Sequence, residues 1–204
     1  MKTQQQIQFE KDHAAMKNYL LGRGYKTALR VLPFASNLHD GFRKDKVTPE
    51  FHHQIRIAFS ILNLRDVVNE ELCVCLAFLH DTPEDKNISY SVLNGKFGKD
   101  IARKACILDK HQFTHEGSCF AAIAEDIDCS IVKGADNGDN IQSMVGVFTK
   151  EKMTSYMHRT KQYVLPMLKH ASNNFPEQSF AYSGLRLRLK DQLLLYTEIV
   201  GSIQ

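Results

Sequence analysis

Several features that would indicate a membrane, secreted or nucleic-acid-binding protein are missing from this sequence. No window approaches the ~20 consecutive apolar residues that a membrane-spanning helix needs, and the polar N-terminus lacks the apolar region of a signal peptide. The net charge is only +3 and no long basic block occurs, so nothing in the charge favours nucleic-acid binding. We therefore expect a soluble, cytoplasmic chain without a membrane or nucleic-acid partner. Its oligomeric state is left open by the sequence.

The cysteines also lack the spacing of a redox or zinc motif. None of the five forms a C-x-x-C pair, and they fall mostly in apolar stretches with helical spacing: Cys73, Cys75, Cys106, Cys119 and Cys129. Reduced, buried thiols of an intracellular protein are the expected state.

Strict two-residue alternation of apolar and polar side chains, the pattern of a half-buried strand, is almost absent. Apolar residues instead recur at helical spacing, and we predict an all-α bundle of about ten helices. A length of 204 residues suits one domain with an added terminal element. We predict a helical N-terminal extension at 1–27, a main domain at 28–171, and a C-terminal helix at 172–204 packed on that domain. The helical segment 127–147 is expected to be interrupted at 136–140, where the sequence is Asp-Asn-Gly-Asp-Asn.

The most informative stretch is 76–85, Leu-Ala-Phe-Leu-His-Asp-Thr-Pro-Glu-Asp. Its apolar residues indicate burial, and a buried carboxylate beside a histidine costs several kcal/mol unless it is paired or binds a metal. Pro83 disfavours helical geometry at the preceding residue, so we expect one helix to end here and a second to begin with Thr82 as its N-cap. Glu84 and Asp85 have a simpler alternative role, because acidic side chains in a first turn complement the helix dipole.

Three sites place metal-type ligands in otherwise apolar helices. They are His52-His53, His80-Asp81, and Asp136 with Asn140 four residues later on the same helix face. Two imidazoles with two carboxylates form a mixed nitrogen and oxygen set, which suits Mn, Fe, Co, Ni or Zn better than Mg or Ca. The alternative is structural. The histidines could be hydrogen-bonded core residues, and Asp136 and Asn140 could cap backbone groups. Asp139 is expected to be solvated.

The joint pattern of motifs is more specific than any single motif. Between about residues 28 and 170 the chain has, in order, Leu-Pro-Phe-Ala-x-x-x-His (32–39), Arg-Lys-Asp (43–45), Thr-Pro-x-Phe-x-His (48–53), the stretch 76–85, Phe-Gly (97–98), Val-Lys-Gly-Ala-Asp-x-x-x-Asn (132–140) and Tyr-Val-Leu-Pro (163–166). This pattern resembles the HD-domain hydrolases of the RelA/SpoT homologue superfamily. It is most similar to the small, stand-alone alarmone hydrolases of the metazoan SpoT homologue type.

The resemblance implies an HD-type, metal-dependent phosphohydrolase domain at 28–171. Its metal ligands would be His53, His80, Asp81 and Asp136, and Mn²⁺ is the usual ion of the family. His53 is assigned rather than His52, because residues 53–58 align with the family's His-Pro-Leu-Ala-Val-Ala.

The resemblance also implies a substrate and roles for five further residues. The family reaction removes the 3′-pyrophosphate from (p)ppGpp, the alarmone of the stringent response, to give GDP or GTP; small members also show 2′-phosphatase activity on NADPH. Glu84 and Asp85 would place and activate the attacking water. Arg43 would lie near the base, Lys44 near a phosphate, and Asn140 would hold the ribose or a bridging phosphate.

The chain departs from the family pattern in the same region. The motif Ala-Asp-Arg-Leu-His-Asn is Ala-Asp-Asn-Gly-Asp-Asn at 135–140, and the Pro after the first His is Gln54. We expect the missing cation and the added Asp139 to weaken binding of a highly charged nucleotide. The main alternative is therefore an HD phosphohydrolase of another nucleotide: a dNTP, a nucleoside monophosphate or NADPH. A regulatory binder without turnover would not need the water-activating carboxylates.

Overall fold

The computed structural model describes residues 2–202. Within this range, regular structure is helical apart from one isolated bridge between Phe42 and Pro49, so the all-α prediction is confirmed. Met1, Ile203 and Gln204, which belong to the predicted terminal segments, lie outside the described residues. Among residues 2–202, none of the helices combines the length and the apolar character that crossing a membrane requires.

Twelve α-helices occur in the described range, where about ten were predicted. In chain order they are α1 (Gln4–Arg23), α2 (Lys26–Leu38), α3 (His52–Leu62), α4 (Glu70–Leu79), α5 (Thr82–Lys86), α6 (Tyr90–Phe97), α7 (Lys99–Leu108), α8 (Glu116–Ala124), α9 (Ile127–Gln142), α10 (Lys150–Arg159), α11 (Leu165–Asn174) and α12 (Ser179–Ser202). Short 3₁₀ turns lie at Lys110–Gln112 and Pro176–Gln178, and a π-helical turn at Thr160–Val164 joins α10 to α11. The proposed division into an extension, a main domain and a terminal helix stays a prediction.

The centre of the molecule is formed by α3, α4 and α9, which pack against one another. In α4 the seven consecutive residues 73–79 are buried, as the apolar sequence predicted. Each fully buried Leu, Val or Phe side chain contributes roughly 1.5–3 kcal/mol of transfer free energy. This packing fixes the positions of the polar residues at the ends of α3 and α4 and in the middle of α9.

The joint between α4 and α5 places His80 and Asp81 at the edge of the core. Helix α4 ends at Leu79 and α5 begins at Thr82, with Pro83 in its first turn. The predicted break therefore occurs at the expected place. Asp81 rather than Thr82 occupies the position before the new helix.

The interruption predicted at 136–140 is wrong, because α9 continues without a break through this segment. Gly138 lies against α12, where the Gln192 side-chain amide donates a 3.1 Å hydrogen bond to the Gly138 carbonyl oxygen. At its N-terminus the helix is capped by Asp126, whose carboxylate accepts hydrogen bonds from the backbone N–H groups of Asp128 and Cys129. Tertiary packing and a good cap thus outweigh the weak helix propensity of Asn and Gly.

Candidate metal centre

Two imidazoles and a carboxylate from three different helical elements converge at one point. Ligand atoms of His53 on α3, His80 after α4 and Asp136 on α9 all lie within 4.8 Å of one another, and these three residues are buried. Asp81 adjoins them, with Oδ2 3.0 Å from Nε2 of His80 and 3.9 Å from Nε2 of His53. The residues implied as ligands by the family resemblance are therefore neighbours in space.

The hydrogen bonding of His80 leaves one ring nitrogen facing carboxylates. Nδ1 lies 2.9 Å from the carbonyl oxygen of Ala77, which can only accept, so Nδ1 carries the proton and donates. Nε2 is buried and has no hydrogen-bond partner within residues 2–202, although Asp81 Oδ2 is 3.0 Å away and Asp136 Oδ1 is 3.6 Å away. A nitrogen in this position needs a positive charge between it and the two carboxylates, which either a proton on Nε2 or a bound cation can supply.

His53 has the same arrangement through a different partner. Its Nδ1 lies 2.6 Å from Oδ2 of Asp139, so the N–H donates to this carboxylate. Nε2 is then free to face Asp136 Oδ1 at 3.2 Å. Both imidazoles thus direct Nε2 toward the carboxylate oxygens, where a bound metal ion would take the place of a proton. The donor set fits a divalent metal ion of the Mn to Zn group.

The electrostatics of the cluster keep its carboxylates ionised. Burial alone would raise the pKa of Asp136, but the Lys133 ammonium, and after it the adjacent imidazoles of His53 and His80, hold this pKa well below its usual range. Burial also opposes ionisation of Asp81, yet the charge of His80 lowers the pKa of this carboxyl. Conversely, Asp81 and Asp136 overcome the effect of burial and raise the pKa of His80. The site is therefore built to hold positive charge.

Asn140 and Arg43, predicted to contact substrate, are connected directly to the cluster. The Asn140 amide donates a 2.6 Å hydrogen bond to Asp136 Oδ1, and its oxygen accepts a 3.2 Å hydrogen bond from Arg43 Nη2. The Lys44 side chain has a different neighbour. Its ammonium lies 5.5 Å from the centre of the Phe148 ring, and the ammonium of Lys152 lies 4.0 Å from the same ring centre.

Glu84 and Asp85, both predicted to act on water, have different surroundings. Glu84 forms an ion pair with Lys110. Asp85 lines the pocket that also contains His53 and Asp81. Partial desolvation, followed by the negative charges of Asp81 and Glu84, raises the pKa of Asp85. Asp85 therefore has the better environment for a general base.

Two cavities meet at the cluster and share Lys44, Asp81, Asn140 and Phe148 in their walls. One, of about 340 Å³, is lined by the predicted nucleoside contacts, including Arg43. The other, of about 380 Å³, is rich in cationic side chains: Lys44, Lys110, Lys133, Lys152 and Arg159. These volumes are in the range of small-molecule binding sites.

Sequence reasoning missed three buried or half-buried residues that surround the ligands. Asp139, expected to be solvated, is only 4% exposed. Arg56 binds its carboxylate through Nε at 2.7 Å and Nη2 at 2.8 Å. Lys133 donates to Asp136 Oδ2 at 2.8 Å. The sequence contained a signal for two of these residues. Lys133 and Asp139 each lie three residues from Asp136, a spacing that makes side chains neighbours on a helix.

Comparison with known proteins gives two similar sequences, and no protein-family model matches the chain. A probable guanosine-3′,5′-bis(diphosphate) 3′-pyrophosphohydrolase of Synechocystis sp. is 28% identical over 149 residues, which are 68% of this chain and 19% of that protein. A guanosine-3′,5′-bis(diphosphate) 3′-pyrophosphohydrolase of Aquifex aeolicus is 25% identical over 146 residues, 68% of this chain and 20% of that protein. The chain thus spans about a fifth of the length of these curated relatives.

Proposed function

We propose that this chain is a metal-dependent hydrolase that removes the 3′-pyrophosphate from (p)ppGpp to give GDP or GTP. The observation that carries the proposal is the pair of imidazole Nε2 atoms directed at Asp81 and Asp136 on the floor of a two-part cleft. The names of both curated relatives support the same substrate. Mn²⁺ is the proposed ion, with His53, His80, Asp81 and Asp136 as its ligands.

The cationic half of the cleft supports a substrate with several phosphates. Lys133, Lys110 and Arg159 each pair with a carboxylate in the same wall. Lys44 and Lys152 instead both lie near the Phe148 ring and next to each other, close enough for Lys44 to lower the pKa of Lys152. Two ammonium groups held together in this way are stabilised by a bound phosphate or pyrophosphate.

The side chains around the cluster suggest how hydrolysis proceeds. A bound divalent metal would lower the pKa of a water molecule and stabilise charge on a phosphoryl oxygen. Asp85, with its raised pKa, accepts the proton from the attacking water. Arg43 and Asn140 orient the nucleoside, and the Lys44–Lys152 pair holds phosphate oxygens. The hydrogen bond from Arg43 to the side-chain oxygen of Asn140 holds that amide in place.

The altered segment 137–139 does not add unbalanced charge to this cleft. The carboxylate of Asp139 is neutralised by Arg56. Asn137 is 1% exposed and accepts a hydrogen bond from Thr160. Both side chains are therefore committed to contacts within the protein, and the negative charge of Asp139 does not oppose binding of a highly charged substrate.

The test is turnover of ppGpp by the full-length protein with Mn²⁺, with GDP and pyrophosphate measured as separate products. We expect stoichiometric release of both, lost in Asp81→Ala and retained in the surface variant Asp100→Ala. The same assay includes NADPH, a dNTP and a nucleoside monophosphate. Absence of pyrophosphate release by Mn²⁺-loaded protein would refute the proposal. Phosphate release from one of the other nucleotides would then identify the alternative substrate.

A further inference from the structure

A buried carboxylate and a half-buried guanidinium form a small unit behind the imidazole of His53. Asp139 Oδ2 accepts the His53 Nδ1–H at 2.6 Å. The same carboxylate receives Arg56 Nε at 2.7 Å on Oδ1 and Nη2 at 2.8 Å on Oδ2. The side chains of His53 and Asp139 are only 6% and 5% exposed, so water contributes little to these contacts.

The unit is built symmetrically from two helices. On α3, Arg56 follows His53 by three residues, and on α9, Asp139 follows Asp136 by three residues. Residues at this spacing share a helix face. Each helix therefore supplies one residue of the metal cluster and one residue of the supporting unit, about one turn apart.

We propose that Asp139, itself fixed by Arg56, is a positioning residue that holds His53 in the tautomer and orientation required to bind a metal through Nε2. Acceptance of the Nδ1–H by a carboxylate leaves the lone pair on Nε2, which faces Asp136 Oδ1 at 3.2 Å. A carboxylate behind a ligating histidine fixes the ring and raises its basicity. The two-point contact with Arg56 prevents the carboxylate from rotating away from the imidazole.

Both members of the unit are departures from the family pattern described above. The aligned family residues are Ala at position 56 and His at position 139. An isolated carboxylate at position 139 would be a buried charge without a partner, which is strongly unfavourable, and Arg56 supplies that partner. Because the two departures are in contact with each other, they form a compensated pair. This chain thus supports its first histidine by a different route from the pattern it resembles.

The neighbouring histidine supplies a matched control. His52 Nε2 lies 2.8 Å from Asp12 Oδ2. This is also an imidazole–carboxylate contact, and its length is close to the 2.6 Å between His53 and Asp139. Its partner lies on α1, and neither residue is part of the metal cluster. Removing this contact shows whether loss of any histidine–carboxylate pair on α3 changes the Mn²⁺ affinity.

The experiment is calorimetric titration of Mn²⁺ into chelator-treated, full-length protein, with the melting temperature and circular dichroism recorded for each variant. We expect Asp139→Ala to weaken Mn²⁺ binding about 10- to 100-fold. Asp139→Asn keeps an acceptor oxygen and should lose less. Asp12→Asn should bind Mn²⁺ like the wild type. If Asp139→Ala does not fold, the isosteric Asn variant decides the question.

The pairing with Arg56 is tested by a double-mutant cycle. Asp139→His alone leaves the Arg56 guanidinium unpaired, and we expect it to bind Mn²⁺ weakly. Adding Arg56→Ala should recover most of the affinity, because the double variant restores both family residues. If the loss of Mn²⁺ affinity in the double variant equals the sum of the losses in Asp139→His and Arg56→Ala, Arg56 does not act through Asp139.

This inference shares its site with the proposed function, but the two fail separately. Wild-type Mn²⁺ affinity in folded Asp139→Ala and Asp139→Asn would overturn the positioning role and leave the proposed reaction untouched. Conversely, Mn²⁺ binding could depend on Asp139 as predicted while the wild type releases no pyrophosphate from ppGpp. That result would refute only the proposed substrate. Failure of the wild type to bind Mn²⁺ would refute both.

Discussion

At the residue scale, adjacent carboxylates in the cleft have different chemical properties. Glu84 is engaged by Lys110, whereas Asp85 lies in the cavity beside His53 and Asp81. Partial desolvation and two neighbouring negative charges disfavour the ionised form of Asp85 and raise its pKa. Asp85 is therefore the better placed of the two carboxylates to act as a general base.

We predict that the pH profile of ppGpp hydrolysis reports on Asp85. The base must be ionised, so kcat/KM should fall as pH decreases through a pKa above the usual value for an aspartate. Asp85→Asn should lower kcat by roughly 10²- to 10⁴-fold and abolish that acidic limb. Glu84→Gln should leave the limb in place. An unchanged acidic limb in Asp85→Asn would assign the titration to another group.

The sequence alone could identify candidate ligands but not the residues that support them. His80 and Asp81 stand out because they end a buried apolar run, and Asp136 because it lies on an apolar helix. Asp139 and Arg56 are 83 residues apart, and nothing local indicates that they meet. Asp139 was consequently expected to be solvated. Buried charge pairs between distant helices depend on packing that periodicity does not describe.

At the element scale, α9 is held in place by a close approach of three helices. A β-carbon at Gly134 would lie 2.9 Å from Leu168 Cδ2 on α11 and 3.0 Å from Leu185 Cδ1 on α12. Both leucines are buried, so neither can move without disturbing the core. The absence of a side chain at this position lets α9 sit deep enough to bring Asp136 to the histidines.

We predict opposite effects for two Gly→Ala substitutions in helices. Gly134→Ala should destabilise the protein by about 1 kcal/mol, because overpacking of ~1–3 kcal/mol exceeds the gain in helix propensity of ~1 kcal/mol. Gly95→Ala on α6, where a β-carbon meets nothing within 4 Å, should stabilise it by about 0.5–1 kcal/mol. Urea denaturation measures both values. A stabilising effect at Gly134 would show that α11 and α12 adjust freely.

The course of α9 also shows the limit of local turn signals. Asp-Asn-Gly-Asp-Asn favours a turn in isolation, and the interruption was predicted on that basis. In the folded chain the polar side chains of this segment each find a partner, for example Asn137 with Thr160 and Asp139 with Arg56. The helix is therefore continuous, and Asp136 and Asn140 lie one turn apart on the same face, as the spacing predicted.

At the scale of the whole molecule, the metal centre joins elements that are far apart in the sequence. His53 lies in the first turn of α3, His80 and Asp81 connect α4 to α5, and Asp136 lies within α9. The burial of α3 and α4 was within reach of the sequence, because both are rich in apolar residues. Their relative depth and rotation, which decide the ligand distances, follow from contacts such as that at Gly134.

The central claim is that His53 and His80 bind the same metal ion. Pulsed electron paramagnetic resonance of Mn²⁺-loaded protein tests it directly, because nitrogen ligands produce ¹⁴N modulation. We predict modulation from two imidazoles in the wild type and in His52→Gln, and from one imidazole in His53→Gln or His80→Gln. Bound Mn²⁺ without nitrogen coupling, or spectra that do not change in His53→Gln and His80→Gln, would contradict the account.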